Sequence, residues 1–238
     1  MKLTIIGNNG VFPAKGGACS SYLIETGDYK ILIDMGPGSL AKLQEVCPID
    51  KIDIFIFSHL HYDHVSDFFS MKYALQLMKA RRQYTKKPMM ILPKTPDDVM
   101  NNLKDESLFD VHYSFDRLTL RLKNTKIEFA EMTHPVESYA VKVSEKGKTI
   151  VYSGDTNRTE RISDFAAGAD IFLSDAGLLQ EHKNDAAPHM SIAEACEAGK
   201  EAKKTLLVHL SPLYTIAEIK KEMKGNAEIS SLGAEYEL

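Results

Sequence analysis

The most constraining feature of the chain is the run His59-Leu60-His61-Tyr62-Asp63-His64, preceded by Ser58. It follows directly on Ile52-Asp53-Ile54-Phe55-Ile56-Phe57, whose β-branched and aromatic residues predict a strand buried on both faces. Imidazole nitrogen and carboxylate oxygen suit zinc or a similar divalent ion, and a strand end gives such ligands a rigid base. Residues i and i+2 of an extended chain point to one side, so His59 and His61 can close on one ion. The following turn can then carry Asp63 and His64 to another. The spacing suggests two metals. A surface cluster, or histidines satisfied in a core, is the competing reading, but burying so many polar groups without metal would leave several unpaired.

The remaining composition is that of a folded protein. The chain has 238 residues, 44% of them hydrophobic and 26% charged, enough apolar material for a sizeable core. Lys and Arg number 29 against 33 Asp and Glu, a net charge of −4. With a pI near 6.1 there is no global field to draw the protein onto nucleic acid or an anionic membrane. Cys19, Cys47 and Cys196 are too few and scattered for a disulfide framework, and reduced core thiols are expected. The opening Met1-Lys2-Leu3-Thr4-Ile5-Ile6 is too short for a signal peptide, and nothing approaches the ~20 apolar residues of a membrane span. The expectation is a soluble cytoplasmic protein that does not contact membrane.

Short apolar runs alternate with amphipathic stretches, an α/β pattern. Strands are expected at 3–6, 21–26 and 30–33, with Gly27-Asp28 as the hairpin turn between the last two. In the second half they are expected at 127–132, 139–144, 149–153, 170–174 and 205–209, with a tight turn at Glu145-Lys146-Gly147. Phe68, Met71, Leu75 and Met78 recur at helical spacing, which predicts a helix over 67–82. Ser191-Ile192-Ala193-Glu194 and Thr215-Ile216-Ala217-Glu218 are capping boxes that open two more. Four further residues sit just beyond a strand or just before a helix, where functional side chains concentrate: His134, Asp155, His189 and His209.

The string HLHYDH resembles the HxHxDH motif of the metallo-β-lactamase fold superfamily. His134, Asp155 within Ser153-Gly154-Asp155-Thr156, and His209 within Val208-His209-Leu210-Ser211-Pro212 follow in the order of that superfamily's remaining ligands. The resemblance covers nearly the whole chain and implies a single hydrolase domain over 1–238, an α/β four-layer αββα sandwich with metals at the sheet edge. It implies two divalent ions, zinc first and manganese or iron as alternatives, with His59, His61 and His134 on one and Asp63, His64 and His209 on the other. Asp155 would bridge them.

Within the superfamily, the redox-active diiron branch usually has Glu at the position of His61, and the antibiotic-hydrolysing branch often has Cys at that of Asp155. Gly7-Asn8-Asn9-Gly10 with Pro13 and Gly16-Gly17, together with Pro188-His189-Met190-Ser191 and His209-Leu210-Ser211-Pro212, look like the ribonuclease Z group. That resemblance implies phosphodiester hydrolysis, with a nucleotide, cyclic phosphate or RNA-type substrate, and allows a homodimer. The chain departs from the group in two ways. Only a hairpin's length separates His134 from Asp155, where the tRNA-maturing enzymes carry a long arm, so tRNA is not the expected partner. The group also has a His-Glu pair where this chain has Ser174-Asp175, so Asp175 would be the acidic partner of His189. The chain is closer in this respect to small phosphodiesterases of the group.

Two ions about 3.5–4 Å apart can acidify a bridging water and neutralise phosphate oxygens. Asp63 would orient or deprotonate that water. His189 would stabilise the developing charge or protonate the leaving oxygen, helped by amides of the helix that follows it. Two rivals stand beside this reading: a thioester, lactone or sulfate-ester hydrolase on the same site, and a non-catalytic binding module of the same fold. The basic stretch Lys79, Arg81, Arg82, Lys86 and Lys87 reads as the solvated end of a helix, with a phosphate contact as the alternative. Cys19 reads as packing, and His112 and His182 fall outside the motif.

Overall fold

The computed structural model describes residues 1–184 and 186–238. In its first half, β1 (Lys2–Gly7), β2 (Ser21–Glu25), β3 (Lys30–Ile33), β4 (Ile54–Ile56), β5 (Met89–Leu92) and β6 (Asp110–Tyr113) join β14 (Glu235–Glu237) in a seven-stranded sheet of order β14-β1-β2-β3-β4-β5-β6. In its second half, β7 (Thr119–Leu122), β8 (Thr125–Glu131), β9 (Tyr139–Glu145), β10 (Lys148–Tyr152), β11 (Ile171–Asp175), β12 (Thr205–Val208) and β13 (Ala227–Ile229) form another, of order β13-β12-β11-β10-β9-β8-β7. In each sheet one half is an antiparallel meander and the other is parallel.

Strand period two builds the layers. Ile54 and Ile56 of β4 enter the same apolar cluster as Ile171 and Leu173 of β11, between the sheets. Phe55 instead packs outward against Phe68, Met71 and Leu75. Those three belong to α2 (Tyr62–Ala80), which lies on this face with α1 (Ser39–Val46) and α3 (Asp97–Leu103). Phe172 of β11 packs outward in a third cluster with α4 (Glu160–Ala166), α5 (Ile192–Ala198) and α6 (Ile216–Glu222). The layering is αββα, as the resemblance implied. Among the described residues no helix is long and apolar enough to cross a membrane.

The expected strands are present with ends shifted by a residue or two, and the 145–147 turn closes with both Lys146 and Gly147 at positive φ, 49° and 77°, the hairpin-compatible twist. Both capping boxes form as read. One boundary differs by more. Helix α2 begins at Tyr62 rather than 67, with His61 extended as its N-cap and Asp63 in its first turn. A carboxylate there is favoured by the helix dipole. Apolar spacing conceals this turn because its residues serve the site rather than the core.

The basic stretch lies at the far end of α2, about 27 Å from Tyr62 at 1.5 Å per residue. There Lys86 pairs with Asp53 and Lys79 donates to the Ser107 carbonyl. It is the solvated end of a helix, remote from the histidines.

Candidate metal centre

The C-terminal ends of the parallel strands converge on one edge. Asp34 follows β3, the 58–64 run follows β4, Asp155 follows β10, Asp175 ends β11 and His209 follows β12. His134 lies just beyond β8, where the Tyr139 amide donates to the Ser58 carbonyl at 3.0 Å and ties one sheet to the other.

Two groups of side chains form there. His59, His61, His134 and Asp155 each present a ligand atom within 4.8 Å of the others, and so do Asp63, His64, Asp155 and His209. The seven residues expected from sequence to ligate are thus brought together, and Asp155 stands in both groups. His59 Nε2 and His134 Nε2 each lie 3.1 Å from His61 Nδ1. Asp155 Oδ2 is 3.5 Å from His59 Nε2 and 3.3 Å from His64 Nε2, while Oδ1 is 3.4 Å from His209 Nδ1.

Four of the imidazoles also have a polar neighbour at Nδ1. His59 Nδ1 meets Ser58 Oγ at 3.1 Å, His134 Nδ1 meets the Pro188 carbonyl at 3.1 Å, and His209 Nδ1 meets Ser20 Oγ at 3.3 Å. His64 Nδ1 meets Asp34 Oδ2 at 2.8 Å. Such contacts fix ring orientation and leave the other nitrogen for a metal. His64 Nε2, His209 Nε2 and Asp155 Oδ1 are buried with no hydrogen-bond partner. Unpaired buried atoms are costly, and atoms that converge in this way fit divalent cations chemically.

Burial, then the charge of His64, pushes His59 well below the ordinary histidine value, and burial likewise lowers His61 and His134. All three therefore favour the neutral imidazole a metal requires. Burial alone would raise the Asp155 carboxyl, yet His209, His64 and His59 together hold it well below the usual range. Asp63 is lowered for the same reason, by His64 and His209 against burial. For His64 burial opposes protonation, but Asp155 and Asp34 outweigh it and raise its pKa.

His189 forms a further group with Asp155 and Asp175. Its Nδ1 lies 3.1 Å from Asp175 Oδ2, and its ring stacks on His209 with centroids 4.8 Å apart. Burial would lower its pKa, but Asp175 and Asp155 override that and raise it to about 9. Asp175 also accepts from the Thr156 and Gly177 amides at 3.0 and 3.1 Å, so the pair is firmly seated. The helix that follows offers less than expected: the amides of Ser191, Ile192 and Glu194 are taken by Glu194, the Leu178 carbonyl and Ser191.

Asp34 was not singled out from sequence. It is 1% exposed and, besides His64, accepts from the Ser58 amide at 2.8 Å and the Ser58 hydroxyl at 2.7 Å. Its only sequence signal is an acidic residue closing a strand before Gly36-Pro37-Gly38. Cys19 is buried and its thiol is pushed to about 12, by burial and then by Asp63, Asp67 and Asp155, in keeping with packing. His112 pairs with Asp110 and His182 with Tyr214, outside the three groups.

Known proteins share this fold. A family model described as "Beta-lactamase superfamily domain" matches residues 29–210. "Probable metallo-hydrolase YhfI" of Bacillus subtilis is 30% identical, each chain covering 100% of the other. Its crystal structure superposes with a TM-score of 0.92 at 28% identity over 99% of this chain and 98% of that one. A "Ribonuclease Z" of Thermococcus sibiricus is 25% identical, over 100% of this chain and 98% of its own. A diphosphatase from the PhnP family has the same fold, with a TM-score of 0.79 at 17% identity, covering 100% of this chain and 97% of that chain. With layers, strand-edge cluster and family model in agreement, the chain belongs to the beta-lactamase superfamily, in its metallo-β-lactamase fold.

Proposed function

We propose that this metal-dependent hydrolase is a dinuclear phosphodiesterase acting on a nucleotide, a cyclic phosphate or an RNA-type phosphodiester. His59, His61 and His134 would hold one ion, Asp63, His64 and His209 the other, and Asp155 both. Zinc suits these donors, with manganese or iron as alternatives. Bound divalent ions supply Lewis acidity for phosphoryl oxygens and lower the pKa of a coordinated water.

The chain's own groups do the rest. Asp63 has one oxygen, Oδ2, engaged by the Val11 amide at 2.9 Å, which steadies the carboxylate for orienting or deprotonating the attacking water. His189 has Nδ1 on Asp175, which leaves Nε2 to protonate the leaving oxygen or meet the developing negative charge. The single observation that carries the phosphodiester reading is this His189–Asp175 pair, an acid set beside the clustered ligands. A thioester needs no such donor, because a thiolate departs more readily than an alkoxide. The names ribonuclease Z and diphosphatase among the relatives support the same class. Between His134 and Asp155 the chain folds only the β9–β10 hairpin, which argues against tRNA as the substrate.

His189→Ala should lower kcat on a cyclic nucleotide, whose leaving group is an unactivated alkoxide, by about 10²–10⁴-fold, with bound metal unchanged by elemental analysis. Loss of metal would mean His189 is a ligand. A parallel panel of bis-p-nitrophenyl phosphate, cyclic nucleotides, a thioester and a lactone identifies the ester, and activity confined to the thioester or lactone would overturn the phosphodiesterase reading.

A further inference from the structure

We propose that Lys183 is the positioning residue for His189, resting on the reading of that histidine as the proton donor. Lys183 has a side chain only 9% exposed although it lies on a connecting segment. Lysines are almost never so buried unless paired. Its ammonium has three protons, and three acceptors from three segments surround it. The His189 carbonyl lies at 2.7 Å, Glu194 Oε2 at 3.0 Å, and Asn157 Oδ1 is the third.

Each partner leads back to the site. Asn157 is two residues past Asp155, and its amide donates to the Thr133 carbonyl at 2.8 Å, one residue before His134. Glu194 also accepts from the Ser191 amide at 2.9 Å, two residues beyond His189. The residue before His189 gives its carbonyl to His134 Nδ1. The backbone that carries His189 thus has a cation beneath it, anchored to the Asp155 segment on one side and to α5 on the other.

This arrangement is directional. A bound ammonium holds the His189 carbonyl, and with it the Cα from which the ring reaches Asp175. The ring has little latitude there, since a Cβ on Gly177 would lie 3.1 Å from His189 Cγ. A displacement of about 1 Å at a reacting group can cost 10²-fold in rate. Lys183 touches neither the ligand groups nor a reacting atom; its direct contact with the residues that act is the His189 carbonyl, and bound metal reports any effect that travels through Asn157 to the ligand segments.

The test is a double-mutant cycle with a cyclic nucleotide, whose alkoxide leaving group needs a proton, on the metal-loaded protein. Lys183→Met should lower kcat by about 10–100-fold while KM and metal stoichiometry stay close to wild type; Tm should fall, because three acceptors lose their donor. In a His189→Ala background the same change should add nothing, because the group being positioned is gone. Lys183→Arg, which keeps the buried cation, should recover part of the loss, and the cycle is run on Lys183→Gln if the Met variant does not fold. An undiminished kcat, a loss that multiplies with that of His189→Ala, or a fall in bound metal would each overturn the positioning role. A His189→Ala protein with wild-type turnover would instead overturn the proton-donor reading, which the cycle detects separately.

Discussion

Asp34 orients two imidazoles that face different ligand groups: His64 directly, and His59 through the hydroxyl of Ser58. A single buried carboxylate thereby sets ring geometry in both halves of the centre. Its partners lie 24 and 30 residues away, so no local pattern could reveal it. The HLHYDH run was legible because its clustered side chains are neighbours in sequence; Asp34 owes its place to β3 and β4 lying side by side. The same scale yields a pH dependence. The raised pKa of His189, from an ordinary 6.5 to about 9, means the folded state binds its proton more tightly than the unfolded state. The associated stability is fully present below pH 6.5 and lost as pH rises through 9, and it amounts to roughly 3 kcal/mol at most. In metal-stripped protein, the gap in denaturant stability between wild type and His189→Ala should be widest at pH 6 and narrow above pH 9. A gap constant with pH would contradict the Asp175 pairing.

At the scale of elements, the long strands and both capping boxes could be read because their periodicity and cap chemistry are local. The unread elements were the short strands β5, β6, β7, β13 and β14, and the helices α1, α3 and α4. Strands of three or four residues such as β13 and β14 carry too little alternation to register, and they exist because a neighbouring strand offers free backbone groups. The loop that follows β1 is a different case, fixed by close approach. A Cβ on Gly10 would lie 2.4 Å from His209 Cδ2 and 2.6 Å from Nε2, so only glycine lets the chain pass that ring. Gly10→Ala should push His209 aside and cut bound metal by about one ion per chain, leaving the His59, His61 and His134 group loaded. Elemental analysis decides it, and full occupancy would show that the loop yields instead.

The molecule as a whole places its proposed ligands on both sides of the inter-sheet seam: the 58–64 run from the first sheet, His134, Asp155 and His209 from the second. Binding there stabilises only the folded chain. An ion at a thousand times its dissociation constant adds about 4 kcal/mol, and each kcal/mol raises Tm by about 2–4 °C in a chain of this size. Chelation should therefore lower Tm by about 8–16 °C, with recovery on adding zinc; an unchanged Tm would argue against metal across the seam. His64 and His209 also stand far apart along the chain, with most of the second sheet between them. A cation shared by them staples a very long loop, much as a cross-link would. Cells starved of the ion would then lose this protein to proteases as well as losing its catalysis, so that metal supply would govern its abundance.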